Sequence, residues 1–205
     1  SPVTSLARPM GRLVGLGLVE RIVPFGEPEK SAKRCLYRIS DPFFRFWFRV
    51  VAPNRALLAG ASSRASGSIW RGMKEHLVAE TWEDLCRRSL SGGMNNQGMP
   101  LAKYGPWQPA RRFWHGNGPQ WDVVSLSVDG RHLLLGEVKW MAGRAGPRDL
   151  EVIVHELLKK GIPPNADVAG ERIHRVVFVP EASSSVSRIA GADVITADTV
   201  LACLR

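Results

Sequence analysis

Residues 121–140 read WDVVSLSVDGRHLLLGEVKW, and this stretch decides the fold. Two apolar runs flank Asp129-Gly130, and Asp-Gly between such runs is the strongest short-range signal for a β-hairpin closed by a two-residue type I′ turn. With Asp129 and Gly130 as the turn residues, Val128 faces Arg131 and the numbers of paired residues sum to 259. Asp122 then stands across from Glu137, with Cβ atoms about 4.5–5.5 Å apart. Lys139 lies two residues beyond Glu137 and shares its face of the sheet.

Like charges held directly opposite each other are destabilising unless something compensates them. A divalent cation does so. Mg²⁺ prefers carboxylate oxygen and keeps several waters; it lowers the pKa of a bound water and stabilises charge on a phosphate. The lysine positions the attacking water or neutralises developing charge. Asp, then Glu-x-Lys, on adjacent antiparallel strands is the core of metal-dependent nucleases. The plain alternative is a solvated pair of strand ends with Lys139 as their salt-bridge partner. Nuclease folds of this kind usually add an acid from the helix before the sheet. Glu80, Glu83 and Asp84 are the candidates, and Glu83, next to the expected core anchor Trp82, is preferred over its simpler role as a helix partner of Arg87.

Outward from the hairpin, the pattern is α-helix over 70–90, strands over 111–115, 121–128 and 131–140, helix over 150–160, strand over 173–179, a short strand at 194–195 and a terminal helix from Ala197. The helix over 150–160 is the clearest, with Leu150, Ile153, Val154, Leu157 and Leu158 at one-face spacing. Before it, Arg111 and Arg112 precede a strand and are candidate phosphate donors.

The first third has a different character. Of 28 basic and 19 acidic residues, 12 basic and only 4 acidic ones fall within 1–72, so +8 of the net +9 sits there. A basic segment joined to a balanced one points to polyanion binding, with Arg8, Arg12, Lys30, Lys33 and Arg34 as candidate DNA contacts. Helix over 3–14, strand 18–23, charged loop, strand 35–39 is the order of the back half of a winged helix-turn-helix. The earlier helices are missing, which suggests a piece of a longer protein. Asp41-Pro42 starts an aromatic helix, Phe43 to Val51, expected to be buried or docked. The small, polar stretch 59–68 reads as a linker. The expected organisation is a partial winged helix plus aromatic helix over 1–58, a linker over 59–68 and a nuclease-like αβββαβ domain over 69–205, an α+β chain.

Several classes are excluded. No GxxxxGK[ST] is present, so the chain has no Walker A loop of its own. No apolar run approaches 18 residues, so no membrane helix is expected. Cys35, Cys86 and Cys203 are far apart and form no CxxC pair, which fits a reducing cytoplasm. The five histidines lack metal-ligand spacing and read as structural or exposed.

Four blocks carry a resemblance: LVGLGLVERIVPFGEP (13–28), YRISDPFFRFWFRVVAPNR (37–55), AETWEDLCRRSL (79–90) and residues 121–140. Together they resemble the C-terminal region of archaeal-type AAA+ ATPases, in which a P-loop ATPase precedes a winged helix and a domain similar to PD-(D/E)XK (restriction-endonuclease-like) nucleases. The resemblance implies Asp122 as the first acid, Glu137 and Lys139 as the E-x-K pair, Glu83 as the helix acid, and Mg²⁺ or Mn²⁺ on Asp122, Glu137 and Glu83. It also implies an ATPase domain preceding this chain and DNA as partner. Trp121 departs from the family, which tends to carry a polar or acidic residue there. The alternative is an inactive DNA-binding module, or a regulatory segment docking through the aromatic helix.

Overall fold

The computed structural model describes residues 3–30, 34–60, 62–91, 99–164, 166, 172–183 and 186–205. The chain divides into two compact units, Ser1–Val23 with Glu27–Val78 and Pro24–Gly26 with Ala79–Arg205.

The first unit follows the expected helix-then-hairpin order. Helix α1 (Val3–Gly15) leads to antiparallel strands β1 (Val19–Ile22) and β2 (Leu36–Ile39), paired Val19↔Ile39 through Ile22↔Leu36. The Asp41 carboxylate then accepts from the N–H groups of Phe43 (2.7 Å) and Phe44 (3.2 Å) and starts α2 (Pro42–Phe46). That is a side-chain N-cap with Pro in the first turn. The aromatic helix continues as a π-helical turn, Trp47–Val51, rather than as regular α-helix, and α3 (Arg55–Ala59) follows. Phe43 and Phe48 are 60% and 59% exposed, so the expectation of burial fails for this unit as it stands.

Helix α4 (Ser63–Leu90) begins inside the stretch expected to be a linker. Small residues lack a helix-breaking proline there, and only one or two of them cost helix propensity, so the helix extends backwards through them. The boundary between the compact units falls within α4, after Val78. The buried stripe of α4 is Trp82, Cys86 and Leu90, with Ser89, which is rotated from the predicted face Met73, Leu77, Val78, Trp82 and Leu85.

The second unit is built on a mixed six-stranded sheet in the order β3-β4-β5-β6-β8-β7. Its strands are β3 (Arg111–Phe113), β4 (Trp121–Leu126), β5 (Leu133–Val138), β6 (Ile173–Phe178), β7 (Arg188–Ile189) and β8 (Ala192–Ile195). Helix α5 (Pro147–Lys159) crosses over between the parallel strands β5 and β6, and α6 (Ala197–Cys203) closes the chain. The predicted α, β, β, β, α, β order is present; the two-residue β7 was not foreseen. One face carries Val123, Leu134, Val138, Val176 and Phe178 against Trp82, Cys86, Val200 and Cys203. The other carries Val124, Leu133, Leu135, Val177 and Val194 against Phe25 and the α5 residues Leu150, Ile153, Val154 and Leu157. Helices on both faces explain why β5 is buried along its whole length.

The central hairpin has the predicted register and a different turn. The pairs are Val123↔Gly136, Val124↔Leu135, Ser125↔Leu134 and Leu126↔Leu133, each summing to 259. A type I′ turn needs positive φ at both central residues, and Ala190 is the one described non-glycine residue with positive φ. Asp129 instead folds its carboxylate back, accepting from the Ser127 hydroxyl at 2.5 Å and the Arg131 N–H at 3.1 Å. The Gly130 N–H donates to Ser127 O at 2.9 Å, with Gly130 at φ +71°. This local side-chain bonding lengthens the loop by one residue on each strand, which leaves the sum of paired numbers unchanged. Positive φ at both central residues occurs at Ala190-Gly191 (φ 47° and 85°), between β7 and β8. Among the described residues no helix is long and apolar enough to cross a membrane.

Candidate active site

Glu137 is the anomaly of β5: a carboxylate in the run LLLGEV, only 3% exposed. The strand can lie this close to its neighbours because of Gly136, where a Cβ would come within 2.9 Å of Val123 Cβ and 3.0 Å of Val176 Cγ1. A buried carboxylate needs partners, and Glu137 has two. Lys139 Nζ lies 2.9 Å from its Oε1, and Lys160 Nζ donates to its Oε2. Lys139 also lies 3.8 Å from Glu156. Burial opposes the charge on Lys139, but the bond to Glu137 and the surrounding carboxylates outweigh it and raise its pKa.

Asp122 reaches across to the same strand: its Oδ2 accepts the Val138 N–H at 3.0 Å. Burial first, and then the charge of Glu137, push its carboxyl up from 3.8 to about 6, against the opposing pull of the Val138 N–H and the Lys160 charge. Its backbone is fixed from the other side, where Arg87 Nη1 donates to Asp122 O at 2.9 Å. Trp121, the residue that departs from the resemblance, is 2% exposed and meets Phe113 edge-on at 5.5 Å, so it is a core anchor one residue before the acid.

The preferred helix acid, Glu83, adds its charge to the environment of Asp122 and is itself paired with arginines. Glu83 Oε2 lies 3.4 Å from Arg87 Nη1 and 3.8 Å from Arg112 Nη2, and Asp84 takes the other Arg87 nitrogen at 2.7 Å. Among the described residues, no three His, Cys, Asp or Glu side chains converge to hold a metal ion. The oxygen donors the hairpin brings together are the two carboxylates Asp122 and Glu137, with both Glu137 oxygens on ammonium groups; a Mg²⁺ ion there would rest on these two and on water.

The predicted DNA contacts divide between the units. In the first, Arg8 and Arg12 are exposed on α1 and Lys30 is exposed in the loop after β1, while Arg34 is paired with Glu27 at 2.8 Å. Lys33 lies outside the described residues. In the second, Arg111 and Arg112 lie half-buried on β3, both with partners.

Sequence reasoning missed Lys160 as a partner of Glu137. The signal was present: Lys160 follows Leu157 by three residues, which carries the sheet-facing stripe of α5 one step further. Arg87 was seen only as a partner of Glu83; its bond to the Asp122 backbone has no sequence signal. The histidines also hold a surprise. His132 Nδ1 and His174 Nε2 lie 2.9 Å apart, and Tyr104 stacks on His174 at 3.8 Å between ring centroids. Burial, followed by the charges of His132 and Lys103, pushes His174 down to about 4. The two rings thus form a pair between the turn before β5 and strand β6.

Comparison with known proteins gives little function. The model of a family, DUF234, described as archaeal and bacterial proteins of unknown function, matches residues 47–152. An uncharacterized protein of Methanocaldococcus jannaschii is 28% identical over 153 residues, which are 72% of this chain and 31% of that protein. The chain thus spans about a third of the length of the curated relative it matches. No solved structure matches it.

Proposed function

We propose, from the premise that the chain belongs to the DUF234 family, that its second unit is a metal-dependent phosphodiesterase of the nuclease type acting on DNA. The observation that carries this reading is the register of the β4–β5 hairpin, which brings Asp122 and Glu137 to one face with Lys139 beside them. Asp122 and Glu137 would hold Mg²⁺ or Mn²⁺, which supplies a water of lowered pKa and positive charge for the phosphate. Lys139, 40% exposed while bonded to Glu137, is the group able to turn towards a phosphate oxygen or the attacking water. Arg87 acts as a positioning residue through the Asp122 backbone, and Glu83, whose charge acts on Asp122, would support the metal from the helix. The exposed cations Arg8, Arg12 and Lys30 of the first unit would draw the polyanion.

The same reading places the chain behind an ATPase domain in a longer cytoplasmic protein. The longer curated relative is compatible with further domains, and the free Cys35, Cys86 and Cys203 suit a reducing compartment.

A second reading has its own support. Both Glu137 oxygens are already satisfied by ammonium groups, as expected of an inactive module that keeps the quartet for structure. Glu137→Gln separates the two. On the nuclease reading it abolishes Mn²⁺-induced stabilisation and plasmid cleavage. On the structural reading it leaves the metal response unchanged and lowers stability by about 1–3 kcal/mol through two weakened charged hydrogen bonds. Melting curves with and without Mn²⁺, together with a cleavage assay, decide it; a wild-type chain inert to Mn²⁺ in both would sink the nuclease reading.

A further inference from the structure

Lys160 is one cation more than a two-carboxylate, one-lysine site needs. Asp122 and Glu137 are balanced by Lys139 and Lys160, and Lys160 holds the Glu137 oxygen that Lys139 does not. It is the C-cap of α5, where a cation is favoured by the helix dipole, and it is only 21% exposed. Lys139, paired with Glu137 and Glu156, is 40% exposed; Lys160, at the end of its helix, is the more buried of the two.

Resting on the proposed two-carboxylate site, we infer that Lys160 is the site's resident counter-ion, released when a divalent cation and a phosphodiester enter together. A hard cation held by Asp122 and Glu137 would compete with the ammonium groups for the Glu137 oxygens, and of the two Lys160 is the less exposed and the one whose charge also acts on Asp122. Without an anion to receive it, the displaced ammonium leaves a buried ion pair and stands beside a second positive charge, so cation binding alone is weak. A phosphate oxygen gives the released ammonium a new partner of the same chemistry. Cation and phosphodiester therefore strengthen each other's binding, and linkage makes the effect reciprocal. The site holds free cations only weakly until a phosphodiester arrives.

Calorimetric Mn²⁺ titrations of the full chain test this, with and without a thymidine dinucleotide as the phosphodiester probe. The wild type should bind Mn²⁺ about fivefold or more tightly in the presence of the dinucleotide. Lys160→Gln, which can still donate a hydrogen bond to Glu137, should bind Mn²⁺ alone about tenfold more tightly than wild type, because one competing charge is gone. In it the enhancement by dinucleotide should fall to nearly nothing. Lys160→Met should do the same and removes any doubt about the residual amide. Equal Mn²⁺ affinities in wild type and variants overturn the role of Lys160 while leaving the two-carboxylate site standing. Absence of the dinucleotide effect in the wild type overturns it even if neither variant folds. Absence of Mn²⁺ binding in wild type and variants alike removes the site itself, and this inference with it.

Discussion

The two units handle charge and apolar surface in opposite ways. Val23 and Val50 are the buried hydrophobic residues of the first unit among those described, and Phe43, Trp47, Phe48, Leu57 and Trp70 are exposed or nearly so. Most of the net charge sits there too, largely on exposed side chains such as Arg8, Arg12 and Lys30. The second unit is almost neutral in net charge, yet it buries a carboxylate and packs ion pairs against its sheet. Charge at a surface costs little and acts at a distance. Charge inside a core must be answered group by group. The contrast teaches where to look for chemistry: composition drew attention to the first unit, but the strained electrostatics lie in the second.

The sharpest test of that contrast is paired truncation. Leu134→Ala, at a fully buried position, should cost about 3–4 kcal/mol in urea unfolding. Phe48→Ala should change the first unit's transition by less than about 0.5 kcal/mol, since most of the ring is already in water. Comparable losses at the two positions would break the comparison, by showing that the aromatic face is covered in solution.

The hairpin shows how much of this was legible. Register depends on which residues can be paired, and strand burial plus a symmetric loop kept the sum of paired numbers, so Asp122 and Glu137 could be aligned from residues 121–140 alone. Turn type depends on where one side chain bonds. Asp129 chose the Ser127 hydroxyl over a type I′ geometry, and nothing in the Asp-Gly pair distinguishes the two. The site divides in the same way. Lys139 travels with its strand and was visible; Lys160 and Arg87 arrive from helices whose docking is set by tertiary packing. Glu83 was visible through its neighbour Trp82; the two arginines paired with its carboxylate, from the helix and from β3, were only half foreseen.

A smaller effect probes the buried charges directly. The Asp122 carboxyl is raised from 3.8 to about 6 in the folded protein. The folded state therefore holds its proton more tightly than the unfolded chain, and stability falls as pH rises between those values. Above about pH 6 the full cost is present, at most about 3 kcal/mol for a shift of this size. Asp122→Asn keeps an acceptor for the Val138 N–H and removes the charge. In urea melts it should be the more stable protein at pH 7.5, with the advantage gone by pH 4. An advantage that persists at pH 4 would mean that packing rather than charge is responsible.

The least change in stability is expected from the first unit's cations. Arg8→Ala, Arg12→Ala and Lys30→Ala together should leave unfolding within about 0.5 kcal/mol of wild type. Their effect should appear in duplex DNA titrations across salt, where the log–log slope becomes shallower by about 2–3 if all three meet phosphates. An unchanged slope would detach the basic surface from nucleic acid and leave the second unit's chemistry to stand alone.

The ion pair between Glu137 and Lys160 also orders events in time. Asp122 and Glu137 are aligned by a hairpin, a local pairing that closes early and brings two like charges together. Lys139 comes with the strand. Lys160 is 23 residues downstream of Glu137, at the far end of the crossover helix, and it reaches the carboxylate only when α5 has packed back on the sheet. Such non-local closure is the slow class of contact in a folding chain. The second countercharge on Glu137 thus comes from the crossover helix and not from the hairpin, so the hairpin by itself is electrostatically incomplete.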